Sequence, residues 1–339
     1  MPTRAHSPDV PGAKTVFVTG ANGFVGSHLA RSLVAAGHQV RALVRPQADR
    51  ALVADLPIEW VGGDLDDRDA LRAGCDGADW VAHVAGRVKA PDRQAFFHAN
   101  ETGTRNLLES AIEAAPQLER FVYVSSLAAG GPVYDGQPRS ESDPDHPITD
   151  YGESKLAGEK VAMSYADRFP VVTVRPPAVY GPGDREVLGF FKAVRWHIKP
   201  VFGGRTMRLS LVYVTNLVDG IMLTLTSPAA PGEVFYVADD RLYSLAELED
   251  MMQHALGNWA LRVNIPRPLL TVLATAAEWA GRVGGFVPSL NRSRARDFVE
   301  RDWACTVDKA RRMMGYVPQV EFAEGAVRTV AWYREHRWL

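Results

Sequence analysis

Gly20, Gly23 and Gly26 stand directly behind a β-branched apolar run at residues 14–19 and ahead of a helical pattern with Leu29, Leu33 and Val34 on one face. A strand, a glycine turn and a helix in that order build a phosphate site. Gly20 permits the tight turn, Gly23 lets the backbone approach a pyrophosphate, and Gly26 lets the helix pack closely on the strand, while the helix N-terminus faces the anion. Glycines at intervals of three also mark packed turns that hold no ligand, but the flanking strand and helix favour a dinucleotide. Asn22, Phe24 and Val25, inside the turn, count with the glycines as cofactor contacts.

The pattern then alternates. A second strand at 39–44 follows Gly37, and a third at 58–61 leads into Gly63-Asp64-Leu65 and a helix near 69–73. A fourth strand at 80–84 ends in Ala85-Gly86, and a helix at 100–115 precedes a fifth strand at 121–124 that ends in Ser125 and Ser126. Such alternation predicts an α/β fold, a Rossmann-type doubly wound parallel sheet whose ligands bind beyond the C-terminal strand ends. Gly20, Arg45, Asp64, Ala85 and Ser126 all fall there. At the end of the second strand an NAD site places a carboxylate for the ribose hydroxyls, whereas this chain has Val44 and Arg45, with Arg50 shortly after. A guanidinium bonds a 2′-phosphate with charge assistance, so NADP(H) is expected ahead of NAD(H).

Residues 132–147, rich in Pro, Asp and Ser, read as a loop that delivers the chain to a helix beginning near Tyr151. Tyr151 and Lys155 share a helix face, so the ammonium lies beside the phenol and favours the phenolate, and the helix N-terminus acts in the same direction. Asp150 and Glu153 have the spacing of a capping box, which puts Tyr151 in the first turn. With 10 Tyr in the chain, one Tyr-x-x-x-Lys pair arises by chance in roughly one such chain in five. The pair therefore carries weight only in company. A sixth strand at 171–174 ends in Arg175-Pro-Pro-Ala-Val-Tyr-Gly-Pro-Gly-Asp184, whose prolines stop it.

Beyond that point the pattern is less regular: a helix at 187–196, a strand at 209–214, a helix at 216–225, a strand at 234–237, and helices at 245–256, 268–282, 307–314 and 322–337. The expected division is a loose tail over 1–13, a dinucleotide domain over 14–180 with 209–238, and a smaller, mainly helical C-terminal substrate lobe over 181–208 with 239–339.

Composition narrows the class. At 46% hydrophobic and 23% charged the chain is ordinary for a soluble globular protein, and a net charge of -2 gives no case for nucleic acid. Cys75 and Cys305 make neither a disulfide framework nor a metal spacing, so no metal is expected and a reducing cytoplasm is the default. The first thirteen residues hold no apolar run that serves as a signal peptide. The apolar stretch 269–286 is interrupted by Glu278 and Arg282 and is too short to span a bilayer. It reads as an amphipathic helix over the substrate site or in the core rather than a surface membrane contact.

Taken in order, the glycine motif, Asp64-Leu65, Ser126, Tyr151-x-x-x-Lys155 and the segment 175–184 resemble the extended short-chain dehydrogenase/reductases, the NAD-dependent epimerase/dehydratase superfamily. The resemblance covers nearly the whole chain and is most like the branch of 3β-hydroxysteroid dehydrogenases and dihydroflavonol reductases. It implies Tyr151 as acid/base, Lys155 bonding the nicotinamide ribose and assisting Tyr151, and Ser126 orienting the substrate oxygen. Asp64 and Leu65 then meet the adenine, Ala85 and Gly86 the phosphate and ribose, and Pro177, Ala178 and Val179 the carboxamide, with Val124 a further cofactor contact. Asn100 to Asn106 also match the family, in a structural role. His83, in a buried strand, reads as packed rather than catalytic.

The activity implied is hydride transfer between nicotinamide and a carbonyl or secondary alcohol of a small, hydrophobic substrate, steroid- or dihydroflavonol-like. A nucleotide-sugar epimerase or dehydratase is the alternative, and a catalytically silent dinucleotide-binding sensor a third reading. In the family's sugar-nucleotide members an Asn and an Arg serve the diphosphate at positions occupied here by Ala178 and Leu209, although Arg205 and Arg208 lie near enough in sequence to compensate. Leu269, Leu270, Leu273, Trp279 and Phe286 suit a hydrophobic substrate, as they also suit plain core packing. The resemblance further suggests a homodimer through the helices at 100–115 and 151–169.

Overall fold

The computed structural model describes residues 12–202, 207–265, 272, 275 and 302–339. In chain order the first half comprises β1 (Thr15–Thr19), α1 (Phe24–Ala35), β2 (Gln39–Val44), β3 (Glu59–Gly62), α2 (Arg68–Cys75), β4 (Trp80–His83), α3 (Arg93–Phe97), α4 (Gly103–Ala114), β5 (Arg120–Val124), α5 (Leu127–Gly130) and α6 (Asp150–Met163). The second half comprises β6 (Val171–Arg175), β7 (Ala178–Tyr180), α7 (Leu188–Arg195), β8 (Ile198–Phe202), β9 (Arg208–Leu209), β10 (Leu211–Tyr213), α8 (Val214–Thr226), β11 (Val234–Tyr236), β12 (Tyr243–Ser244), α9 (Leu245–Leu256) and β13 (Leu261–Ile265). The helices α10 (Asp308–Met314) and α11 (Phe322–Glu335) follow.

The expected doubly wound sheet is present: seven parallel strands in the order β11-β6-β5-β4-β1-β2-β3. Apart from the edge strand β3, its strands are largely buried on both faces, as is usual for parallel sheets. One face packs on α1, α8 and α10 through Leu29, Leu33, Leu217, Ile221 and Met314. The other packs on α2, α4 and α6 through Leu71, Leu107, Leu108, Val161 and Ala162. A third apolar cluster joins α7, α9 and α11 through Phe191, Val194, Leu248, Met252, Phe322 and Tyr333. It forms the helical C-terminal lobe.

Three details depart from the sequence reading. The strand expected over 209–214 is two short pieces outside the main sheet: β9 runs antiparallel to β12, and β10 runs parallel to β7. Second, α6 is capped by Thr149, whose hydroxyl accepts the Gly152 N–H at 3.0 Å, not by Asp150. Asp150 and Glu153 instead form ion pairs with Arg93 on α3. Third, the parallel pair of β8 and β13 had no sequence signal, since Pro200 argues against a strand and the partner lies some sixty residues away. Most of the helix expected over 268–282, with Leu269, Leu270, Leu273, Trp279 and Phe286, lies outside the described residues, as does nearly all of the 1–13 tail.

Candidate active site

The order of the sheet reverses between β1 and β4, and the turn after β1 meets the end of β4 there. Gly20 has φ of +77°, and a Cβ on it would lie 2.8 Å from the Ala85 backbone nitrogen, so only glycine fits. A Cβ on Gly26 would lie 2.0 Å from the Gly20 carbonyl oxygen, which shows how tightly α1 is pressed on the turn. At its N-terminus α1 has no side-chain cap and no acidic residue in its first turn. Its first N–H groups are thus left for an anion, and the cradle fits a pyrophosphate.

From this crevice a cavity of about 1530 Å³ extends across the C-terminal strand ends into the helical lobe. The glycine turn lines it through Gly20, Asn22, Gly23, Phe24, Val25 and Gly26; the next strand ends contribute Arg45, Asp64, Leu65, Ala85 and Gly86. Val124, Ser126, Tyr151, Lys155, Pro177, Ala178 and Val179 line its middle. Arg50 is the exception. Its guanidinium lies 4.7 Å from the centre of the Trp60 ring and does not line the cavity, because the chain turns into a short 3-10 helix immediately after it. Arg45 is exposed at the end of β2 and, among the described residues, has no carboxylate partner.

Local packing brings Ser126 and Tyr151 together. Ser126 caps the four-residue α5, its Oγ accepting the Ala128 N–H at 3.1 Å, so its own O–H remains available to donate. A Cβ on Gly152 would lie 2.3 Å from the Ala128 carbonyl oxygen, so the glycine beside Tyr151 lets α6 press onto α5. Neighbouring Ser125 is buried and its Oγ has no hydrogen-bond partner among the described residues. The Tyr151 ring lies 6.0 Å from that of Phe96.

Lys155 is one turn further in and almost fully buried. Its Nζ donates to the Val124 carbonyl at 2.7 Å and lies 4.3 Å from the centre of the Tyr123 ring. Burial pushes its ammonium down to about 7, against an upward pull from Glu159. His83 lies beneath the floor, fully buried, with its two ring nitrogens on the Thr19 and Thr104 hydroxyls at 2.7 and 3.0 Å. It is a packed histidine.

Two motif residues serve structure. Asn100, in a π-helical turn between α3 and α4, accepts from Arg87 N through its side-chain oxygen at 2.8 Å, and its amide donates to Arg87 O and Ser154 Oγ. It thereby fixes the loop after β4 against α6. Arg175 is 3% exposed and holds Glu159 of α6 and Asp145 of the 132–147 loop, each through two hydrogen bonds.

The far half of the cavity was not legible in the sequence. Phe190 of α7, Leu248 and Met252 of α9, Trp303, and Trp332 and Trp338 of the C-terminal end give it a large apolar share, with Asp184, Arg185, Glu186 and His336 also in the lining. Leu209 lines the cavity as well. Arg185 lies 4.9 Å from the centre of the Trp338 ring. These residues come from separate segments and share no local spacing.

Comparison with known proteins agrees with this arrangement. Residues 16–238 match the NAD dependent epimerase/dehydratase family. The chain is 33% identical over 329 residues to a ceramide reductase of Caulobacter vibrioides, covering 96% of each. It is 30% identical to a 3 beta-hydroxysteroid dehydrogenase/Delta 5-->4-isomerase of Mycobacterium tuberculosis, covering 94% of this chain and 90% of that protein. Among solved structures, the dTDP-glucose 4,6-dehydratase of Streptomyces venezuelae with NAD bound superposes with a TM-score of 0.78 at 25% identity, over 96% of this chain and 98% of that one. The fold is that of catalytic NAD(P)-binding oxidoreductases and epimerases, and this chain belongs to the NAD dependent epimerase/dehydratase family.

Proposed function

We propose that the protein is an NADP(H)-dependent oxidoreductase acting on the carbonyl or secondary alcohol of an apolar substrate, on the side of the family that includes steroid dehydrogenases. The observation that carries this reading is the apolar part of the lining, where Phe190, Leu248, Met252, Trp303, Trp332 and Trp338 border the same cavity as Tyr151, with Asp184, Arg185, Glu186 and His336 as its polar groups. Apolar walls with few convergent polar groups suit an apolar ligand. The ceramide reductase and steroid dehydrogenase relatives support it.

The nicotinamide, when bound, supplies or accepts the hydride. Ser126 donates its free O–H to the substrate oxygen, and Tyr151 gives or takes the proton at that oxygen. Lys155, one turn along the same helix and held on the Val124 carbonyl, in its protonated form stabilises the phenolate left once Tyr151 has given up its proton. Asn100 and Gly152 place these groups without touching substrate. Arg45, exposed and without a carboxylate partner among the described residues, meets a 2′-phosphate. Asp49, a nearby carboxylate in the lining, accepts the Ala51 N–H at 2.9 Å instead. A homodimer through α4 and α6 goes with this reading on the resemblance alone, and a cytoplasmic location on the two free cysteines Cys75 and Cys305.

The second reading is a nucleotide-sugar epimerase or dehydratase. The family match and the solved dehydratase speak for it, and Arg87 and Arg185 in the lining offer cations to a diphosphate. Against it, Ala178 and Leu209 carry no donor, and Arg208 is engaged by Asp302 at 2.8 Å and by the Gly136 carbonyl. Losing a charged partner to a buried diphosphate costs roughly 2 to 5 kcal/mol. Two measurements separate the readings: NADPH oxidation with long-chain ketones and sterols, and calorimetry of the NADP-loaded protein with UDP, dTDP and their sugars. Turnover of a ketone without nucleotide binding supports the reductase. Micromolar binding of any sugar nucleotide replaces it with the epimerase.

A further inference from the structure

On the substrate lobe, Trp196 is 73% exposed, Leu261 64% and Trp259 61%, with Ile198 and Val263 also exposed beside them. Strand pairing makes these one surface. Leu261 lies opposite Ile198 and Val263 opposite Pro200 in the parallel pair of β13 and β8, so Ile198, Leu261 and Val263 share a face of this small sheet. Trp196 ends α7 just before β8, and Trp259 follows α9 just before β13.

On β8 the polarity is inverted. Lys199, the residue after Ile198, is turned inward at 7% exposure and paired with Asp250 at 2.7 Å, while the aliphatic residues face out. Arg262, opposite Lys199, pairs with the other oxygen of the same carboxylate. His197 takes a left-handed φ of +66°, rare for a residue with a side chain, and its ring stacks on Trp259 at 4.1 Å. This built contact holds Trp259 at the surface.

Charge selects the occupant. Lys192 and Arg195, on the last turn of α7 beside Trp196, are exposed and have no carboxylate partner among the described residues. A second copy docked symmetrically would set these cations near one another. A bilayer with anionic headgroups satisfies both features: tryptophans favour the headgroup level, aliphatic side chains enter the acyl boundary, and basic residues meet the lipid charge. The helices α7 and α9 that carry this face also line the cavity, through Phe190, Leu248 and Met252.

We propose that the β8/β13 face, with Trp196 and Trp259, is a docking surface for an anionic lipid bilayer. The proposal goes beyond the reductase reading and does not depend on it. The test is flotation of the full chain with vesicles of phosphatidylcholine alone and of phosphatidylcholine with phosphatidylglycerol. The expected result is binding to the anionic vesicles, weakened by salt, and loss of about tenfold or more in partitioning for Trp196→Ser with Trp259→Ser. Lys192→Glu with Arg195→Glu is the second variant and lowers binding without touching the aromatic face. Circular dichroism and urea unfolding check that both variants fold. No flotation of the wild type, equal binding to neutral vesicles, or undiminished binding of both variants overturns the proposal. So does a change of mass by light scattering in the tryptophan variant without vesicle binding, which identifies the face as a contact between copies. No turnover is measured, so failure here leaves the reductase reading standing.

Discussion

His83 makes a prediction about acid that can be worked from its surroundings. The ring is fully buried at the end of β4, between Thr19 and Thr104. The Thr104 hydroxyl donates to Asn100 O at 2.7 Å, so it can only accept from the ring, and Nε2 carries the proton while Nδ1 accepts from Thr19. Burial first, and the Lys155 charge second, push the imidazole down to about 3. The folded protein keeps His83 neutral across the mild acid range, while the unfolded chain takes up a proton below its ordinary value of 6.5. A base with a lowered folded pKa contributes stability that is complete above the unfolded pKa and is lost as pH falls. The slope is about 1.4 kcal/mol per pH unit, or about 2 kcal/mol between pH 6.5 and 5. Urea unfolding of wild type and His83→Gln at pH 7 and pH 5 reads this directly. The wild type should lose about 2 kcal/mol more than the variant over that interval, and the variant should keep most of its turnover at pH 7. Parallel pH dependences for the two proteins would refute the buried neutral imidazole. A variant that folds at pH 7 yet loses all activity would refute the packed role.

Three further outcomes are expected. Tyr151→Phe should lower turnover on a found substrate roughly 10²- to 10⁴-fold with NADPH affinity nearly unchanged, whereas Lys155→Ala should damage both; a fast Tyr151→Phe enzyme removes the acid/base assignment. Arg45→Ala should weaken NADPH binding about tenfold or more and leave NADH binding alone, which titration of both reduced cofactors measures; tighter NADH binding by the wild type reverses the cofactor preference. Glu159→Ala leaves the Arg175 guanidinium in its buried place with Asp145 and the Tyr236 hydroxyl, and should cost about 3 kcal/mol in urea unfolding. An unchanged midpoint would show that the pair contributes nothing net.

The nucleotide half of the protein was legible in the chain because its signals are local. Gly20, Gly23 and Gly26 answer to a single turn, Gly37 closes α1 with φ of +85°, and most of the parallel strands are short apolar runs. Tyr151 and Lys155 lie one helical turn apart, so their shared face follows from the 3.6-residue period alone. Even there the cap was misplaced by one residue: Thr149 and Asp150 both favour a cap position, and only the partner Arg93, distant in sequence, draws Asp150 away.

What tertiary structure alone decided is the substrate half and the role of each charge. Arg50 and Arg45 are alike in sequence, yet the turn after Arg50 lays it on Trp60 while Arg45 stays in the cavity lining. The apolar wall joins Phe190, Leu248, Met252, Trp303, Trp332 and Trp338 from segments up to about 150 residues apart, and no periodicity connects them. The same holds for β8 and β13, whose exposed face exists only once two distant strands pair. A local spacing encodes a turn or a helix face. The walls of a pocket are set by which surfaces the folded layers bring into contact.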